Sequence, residues 1–106
     1  VHSFTPVWDA QVRTMDIGVL FDHHVQPGES LATHIEKEGF FVACNAPYTG
    51  KSGLMYSVED KGLRHNCLSV ELEINQALIC TPKRIEWLVQ RLAPALEQWA
   101  SNLTHP

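Results

Sequence analysis

The chain has 106 residues, 44% of them hydrophobic and 19% charged, the composition of one globular domain and not of a fibre or a disordered tail. A net charge of −4, with no Lys/Arg stripe to neutralise phosphates, excludes nucleic acid as the expected partner, and no apolar run approaches the roughly 20 residues a membrane-spanning helix needs. The three cysteines, Cys44, Cys67 and Cys80, are odd in number and lack a Cys-x-x-Cys spacing, so they indicate neither a disulfide framework nor a thiolate zinc site and suit a reducing, cytoplasmic setting.

In chain order, Val1 to Pro6 reads as the end of a strand entering a loop, stopped by Pro6. The chain thus begins inside an element, as a piece of a larger domain would. Asp16–Asp22 is a continuous apolar run, expected for a strand covered on both faces. A helix is predicted from Pro27 to about Glu38, with Leu31 and Ile35 inward, His34 a further candidate for that side, and Gly39 as its stop. Phe40–Cys44 is a second apolar run, in which Cys44 is expected to behave as a small buried hydrophobe, as is Cys67 further on. Residues 45–53 form a loop of turn formers, and Leu54–Lys61 has room for a short helix or an irregular stretch. After the next strand, Thr81 and Pro82 cap a long helix whose buried stripe is Ile85, Leu88, Val89, Leu92, Leu96 and Trp99, with a kink expected at Pro94.

The most informative stretch is Leu68 to Asn75. At a period of two, Leu68, Val70, Leu72 and Ile74 share one face while Ser69, Glu71, Glu73 and Asn75 share the other. Two carboxylates on one strand face lie roughly 6.5–7 Å apart at Cα, close enough to perturb each other.

Strands alternating with helices predict an α/β fold with a largely parallel or mixed sheet and flanking helices. Ligands in such folds bind beyond the carboxyl ends of the strands. Those ends supply His2, Asp22 with His23 and His24, Asn45, and Glu73 with Asn75, which together are expected to line one pocket. The chemistry they suit is metal-assisted hydrolysis: imidazole as a zinc ligand, a carboxylate as general base, and Asn or Arg for a substrate carboxylate or an oxyanion.

Five stretches in order, His2-Ser3-Phe4-Thr5-Pro6, Arg13 with Asp16-Ile17-Gly18-Val19-Leu20, Asn45-Ala46-Pro47-Tyr48-Thr49-Gly50, Gly62-Leu63-Arg64-His65 and Glu71-Leu72-Glu73-Ile74-Asn75, resemble the N-formylglutamate amidohydrolase family. The resemblance runs from Val1 to about Leu96. It implies a zinc-dependent hydrolase on a zinc-carboxypeptidase-like, phosphorylase/hydrolase-like fold, cleaving an N-acyl amino acid such as N-formylglutamate, a small molecule carrying a carboxylate. His2 is then a zinc ligand, Glu73 the general base, and Arg13, Asn45, Tyr48 and Asn75 surround the substrate. Asn75 stands where the carboxypeptidase-like pattern has Arg. The family's other zinc ligands, a His and an acidic residue, precede the His-Ser-Phe stretch, so residues 1–106 are expected to be the C-terminal portion of a larger amidohydrolase domain whose N-terminal part is missing here, the alternative being a degenerate relic of that domain.

Other features have plainer readings. His23 and His24 are expected in a solvated turn and His34 on a helix surface, while His65 orders the Gly62 turn. Trp8, Trp87 and Trp99 are expected to pack in the core or at edges, because no basic residues interleave with them. Thr49–Gly53 lacks the spacing of a phosphate loop. Two functions stay open: the hydrolase, with Glu73 or its neighbour Glu71 as base, and a non-catalytic binding or structural domain in which both carboxylates only hold loops.

Overall fold

The computed structural model describes residues 1–50 and 56–104. Its elements in chain order are β1 (His2–Phe4), β2 (Val7–Trp8), β3 (Gln11–Val12), β4 (Ile17–Leu20), α1 (Val25–Glu36), β5 (Val42–Cys44), α2 (Tyr56–His65), β6 (Glu71–Asn75), a 3-10 turn (Gln76–Leu78) and α3 (Pro82–Thr104). Four strands form one sheet in the order β1-β6-β4-β5, and β2 pairs with β3 in a separate hairpin. The α/β class with a mixed sheet and flanking helices is therefore as expected. Among the described residues no helix is long and apolar enough to cross a membrane.

Pairing fixes what each face of the sheet presents. Glu73 lies opposite His2 of β1 on one side and Gly18 of β4 on the other, and Gly18 lies opposite Ala43 of β5. Leu72 lies opposite Val19, and Ile74 lies between Ser3 and Ile17. Because side chains alternate along a strand, Leu72, Ile74, Ile17 and Val19 point to one face while Glu71, Glu73 and Asn75 point to the other. The first face is the core: those four residues pack with Leu31, Ala32 and Ile35 of α1 and with Leu88 and Ala95 of α3.

The two helices on that face are locked to each other by polar tips. Trp99 Nε1 donates to the Pro27 carbonyl at 2.9 Å, and Arg91 Nη1 donates to the Glu38 carbonyl at 3.0 Å, at the C-terminal end of α1. Gly39, at φ +95°, takes the left-handed turn that ends α1, as expected. The helix starts at Val25, two residues before the predicted Pro27, so the proline occupies the first turn, where no intrahelical N–H is needed. Thr81 caps α3 as predicted, its Oγ1 accepting from Arg84 N at 3.2 Å.

Three expectations are corrected. β1 and β6 are parallel to each other but antiparallel to β4, which is parallel to β5, so the four carboxyl ends cannot open into one pocket. The cysteines are all exposed; Cys44 sits on β5, the sheet edge, where one flank has no neighbouring strand among the described residues. In the α3 stripe Leu88 is buried and Leu92, Leu96 and Trp99 half-buried, but Ile85 and Val89 are exposed. Of the predicted Leu54–Lys61 segment, Leu54 lies outside the described residues and Tyr56 onward is α2, which contains Gly62. Lys51–Gly53 of the loop also lie outside them.

Candidate functional site

The face opposite the helices carries the ionisable groups. His2 Nε2 is 3.9 Å from Glu71 Oε1, with the His2 side chain largely exposed and the Glu71 side chain largely covered. Glu73, directly across from His2, is only 6% exposed. Its Oε2 is buried and has no hydrogen-bond partner among the described residues. Burial pushes the Glu73 carboxyl above its ordinary value of 4.5, the Glu71 charge adds to the rise, and His2 and Arg13 act against it. A buried carboxylate without a partner destabilises the fold that holds it. Such a group is a marker of a functional site.

Gly18 makes room for that carboxylate's other neighbour. A Cβ there would meet the Ala46 carbonyl oxygen at 1.9 Å and lie 3.4 Å from the Glu73 Cβ. The segment after β5 therefore folds back across the sheet directly beside Glu73, which only glycine at position 18 permits. Asn45, in the left-handed region at φ +54°, starts this segment. Its Oδ1 accepts from Phe21 N at 3.1 Å and Gly50 N at 3.0 Å, tying both ends of the loop to β4.

The loop brings Tyr48 to Arg13. The Arg13 guanidinium carbon lies 5.4 Å from the Tyr48 ring centroid, 5.7 Å from that of Phe4 and 5.7 Å from that of Trp8, each within cation–π range. Its Nη1 donates at longer range to the Thr5 carbonyl at 3.4 Å and to the Tyr48 hydroxyl at 3.5 Å. Among the described residues no carboxylate forms an ion pair with Arg13. Asn75 fixes the backbone there: Nδ2 donates to the Met15 carbonyl at 3.0 Å and the Arg13 carbonyl at 3.4 Å, while Oδ1 accepts from Ala77 N at 3.0 Å.

Of the residues singled out in the sequence, His2, Glu71 and Glu73 thus converge, with Arg13 and Tyr48 paired beside them over Phe4. Asn45 and Asn75 frame the site by holding its two loops. Their side-chain oxygens are occupied by backbone donors. His24 lies elsewhere, its Nδ1 accepting from Ser69 N at 3.2 Å, and His23 sits 3.9 Å from Asp22. His34 bridges the helices, with Nδ1 2.7 Å from the Ser30 carbonyl oxygen and Nε2 3.1 Å from Asn102 Nδ2. His65 is exposed at the end of α2.

Two contributors were not legible in the sequence. Gly18 acquires its meaning only from a segment 28 residues later in the chain. Trp8, expected to pack in the core or at an edge, is instead 65% exposed and stacks on Arg13. Its hairpin turns at Asp9 and Ala10, both with positive φ (50° and 61°). A turn of this kind is ordinarily signalled by Asn-Gly or Asp-Gly, so Asp-Ala hides it.

A catalytic zinc takes three protein ligands. The described residues contain no group of three or more His, Cys, Asp or Glu placed to hold a metal ion. What they do contain, an accessible imidazole on the strand beside a largely buried carboxylate with one oxygen unpartnered among the described residues, fits the part of a zinc site that the resemblance assigns to this stretch, namely one ligand and a base.

No family model matches the chain, and no curated protein matches it. Among solved structures it is similar to the gene product Atu2144 from Agrobacterium tumefaciens, with a TM-score of 0.72 and 26% identity over 91% of this chain. The match covers 40% of that protein, so the chain spans about two-fifths of its structural neighbour's length.

Proposed function

We propose that this chain carries the general base and substrate-binding groups of a zinc-dependent hydrolase of N-acyl amino acids, N-formylglutamate being the type substrate. The observation that carries the reading is Glu73: a carboxylate almost wholly buried, with one oxygen unpartnered among the described residues, beside His2 and within the field of Arg13. The alternative, a non-catalytic domain in which the carboxylates only hold loops, gains nothing from an oxygen that holds no described residue.

In this reading Arg13 binds the substrate carboxylate through the guanidinium edge left by its three rings. The Glu73 carboxylate accepts a proton from the attacking water, whose oxygen adds to the acyl carbon. The same carboxyl then returns the proton to the departing nitrogen as the C–N bond breaks, leaving a carboxylate and a free amino acid. Zinc, when bound, supplies a Lewis acid that lowers the pKa of water; His2 is the described residue assigned to it, and its further ligands would come from polypeptide upstream of Val1. The three free thiols suit a reducing cytoplasm.

The test is Glu73→Gln in the protein expressed from its complete gene. Hydrolysis of N-formylglutamate is expected to fall about 10²–10⁴-fold, while zinc content by elemental analysis stays near one per chain and the thermal midpoint does not drop. Retained turnover would remove Glu73 from the role. Because the base works ionised, kcat/KM should rise with pH through a limb lying above 4.5, the ordinary value of this carboxyl.

A further inference from the structure

We propose that polypeptide joined to Val1 in the intact protein adds a strand to the open flank of β1 and covers the exposed part of the α3 stripe with apolar side chains. The inference concerns how the domain is completed and does not depend on the hydrolase reading.

The sheet edge supplies the first argument. Among the described residues β1 pairs with β6 on one flank and with no strand on the other. A bare edge presents backbone N–H and C=O groups ready to pair with a further strand, and proteins ordinarily blunt it with Lys or Pro. The His-Ser-Phe sequence of β1 contains neither.

The second argument is the apolar surface beside that edge. Between β1 and α3 lies a cleft of about 640 Å³ whose lining includes Val1, Ser3, Ile74, Ile79, Leu88 and Val89, and no Asp, Glu, Lys or Arg. Val89 is 55% exposed there, and Ile85, one turn earlier on the same face of α3, is 45% exposed. Further along the helix, Leu96 and Trp99 of the same stripe pack against the core. The α3 stripe is therefore patterned for burial along its length, while the described residues bury only part of it. A strand beside β1 with an apolar side chain on the helix side would cover the remainder and remove both surfaces from water.

The third argument selects the occupant. Val1 itself lines the cleft and is 86% exposed, so polypeptide joined to its nitrogen starts within the cleft. Such a segment binds at the high effective concentration of a tethered partner. A second copy would have to hold on through a three-residue edge and two exposed aliphatic side chains, far short of the roughly 1,600 Å² that a stable interface buries. The structural neighbour has room for such a segment, since the match covers 40% of its chain.

The experiment uses the protein expressed from its complete gene. Amide hydrogen exchange should show all three β1 residues, His2 to Phe4, exchanging as slowly as the amides of β6, because a strand on each flank leaves none of them open to water. Val89→Asp should lower the thermal midpoint by about 5 °C or more, and Gln90→Asp, on the exposed side of the same turn, by less than about 2 °C. The oligomeric state by sedimentation should be the same for both variants and the unsubstituted protein. A β1 amide exchanging at the rate of an open edge overturns the inference, as does a Val89→Asp protein as stable as Gln90→Asp. Dissociation of an oligomer by Val89→Asp also overturns it, by assigning the face to a second copy. The exchange measurement needs no variant, so it decides the matter if Val89→Asp fails to fold.

Discussion

The two faces of the central strands are built on opposite principles. Toward α1 and α3, Ile17, Val19, Leu72 and Ile74 are 0–5% exposed and surrounded by aliphatic side chains. On the other side the same strands hold Glu71, Glu73 and Asn75 under a loop, with a buried carboxylate oxygen left unpartnered among the described residues. The helix-covered face lowers the free energy of the fold. The loop-covered face raises it locally, and the cost is tolerated because the core beneath is well packed. The difference shows where to look for chemistry in a small α/β domain: on the sheet face where polar groups are buried at the expense of stability.

The comparison is most directly attacked from its stable side. Ile74→Ala or Leu72→Ala should cost about 2–5 kcal/mol by denaturant titration, with a cavity left between sheet and helices. A cost below about 1 kcal/mol would mean that the core face is not the source of stability. Next is Gly18→Ala on the loop-covered face. The added methyl would sit 1.9 Å from the Ala46 carbonyl oxygen, a backbone atom that must shift; a loss of about 1–3 kcal/mol is expected from such overpacking. Because that loop carries Tyr48 to Arg13, the hydrolase reading expects KM to rise as well. An unchanged thermal midpoint would show the loop to be loosely held.

Asn75→Ala removes the acceptor for Ala77 N and the donor to Met15, and a loss near 1 kcal/mol per net hydrogen bond is expected. In the hydrolase reading its signature is a rise in KM larger than the fall in kcat, since it loosens the backbone under Arg13. The smallest stability effect is that of Glu73→Gln, and it has a definite sign. The folded-state pKa of Glu73 is raised, so between the unfolded and folded values the native state binds the extra proton and stability falls as pH rises. The stabilising contribution is present below the unfolded pKa and lost as pH rises through the folded one. Wild type and Glu73→Gln should therefore diverge in the variant's favour as pH increases from about 4 toward 7. Parallel melting curves across that range would contradict a buried, charged Glu73.

The sequence makes some of this readable and hides the rest for identifiable reasons. The alternation from Leu68 to Asn75 shows which residues of β6 share a face, because side-chain period is a local property. Thr81 and Pro82 announce α3 for the same reason. Strand direction is not local: the apolar run of β4 signals coverage on both sides but not that β4 opposes β6, so the strand-end argument chose a pocket that the sheet does not form. It still selected His2 and Glu73, which meet through register instead. Cys44 reads as buried because its neighbours are apolar, yet β5 is an edge. Asn45 and Asn75 are recognisable as polar groups at strand ends, whereas their use as backbone clamps depends on loops brought from elsewhere in the chain.

Register itself has a further consequence. Glu73 points to the site only because Leu72 and Ile74 point to the helices, so a slip of one residue anywhere along β6 would bury the carboxylate among Leu31, Ile35 and Leu88 and expose two aliphatic side chains. A single-residue insertion or deletion in this strand that is not absorbed as a bulge therefore moves the carboxylate only at the cost of the core. Errors in the position of Glu73 are thus converted into errors of packing, and the hydrophobic layer acts as a proofreader for a carboxylate on the opposite face.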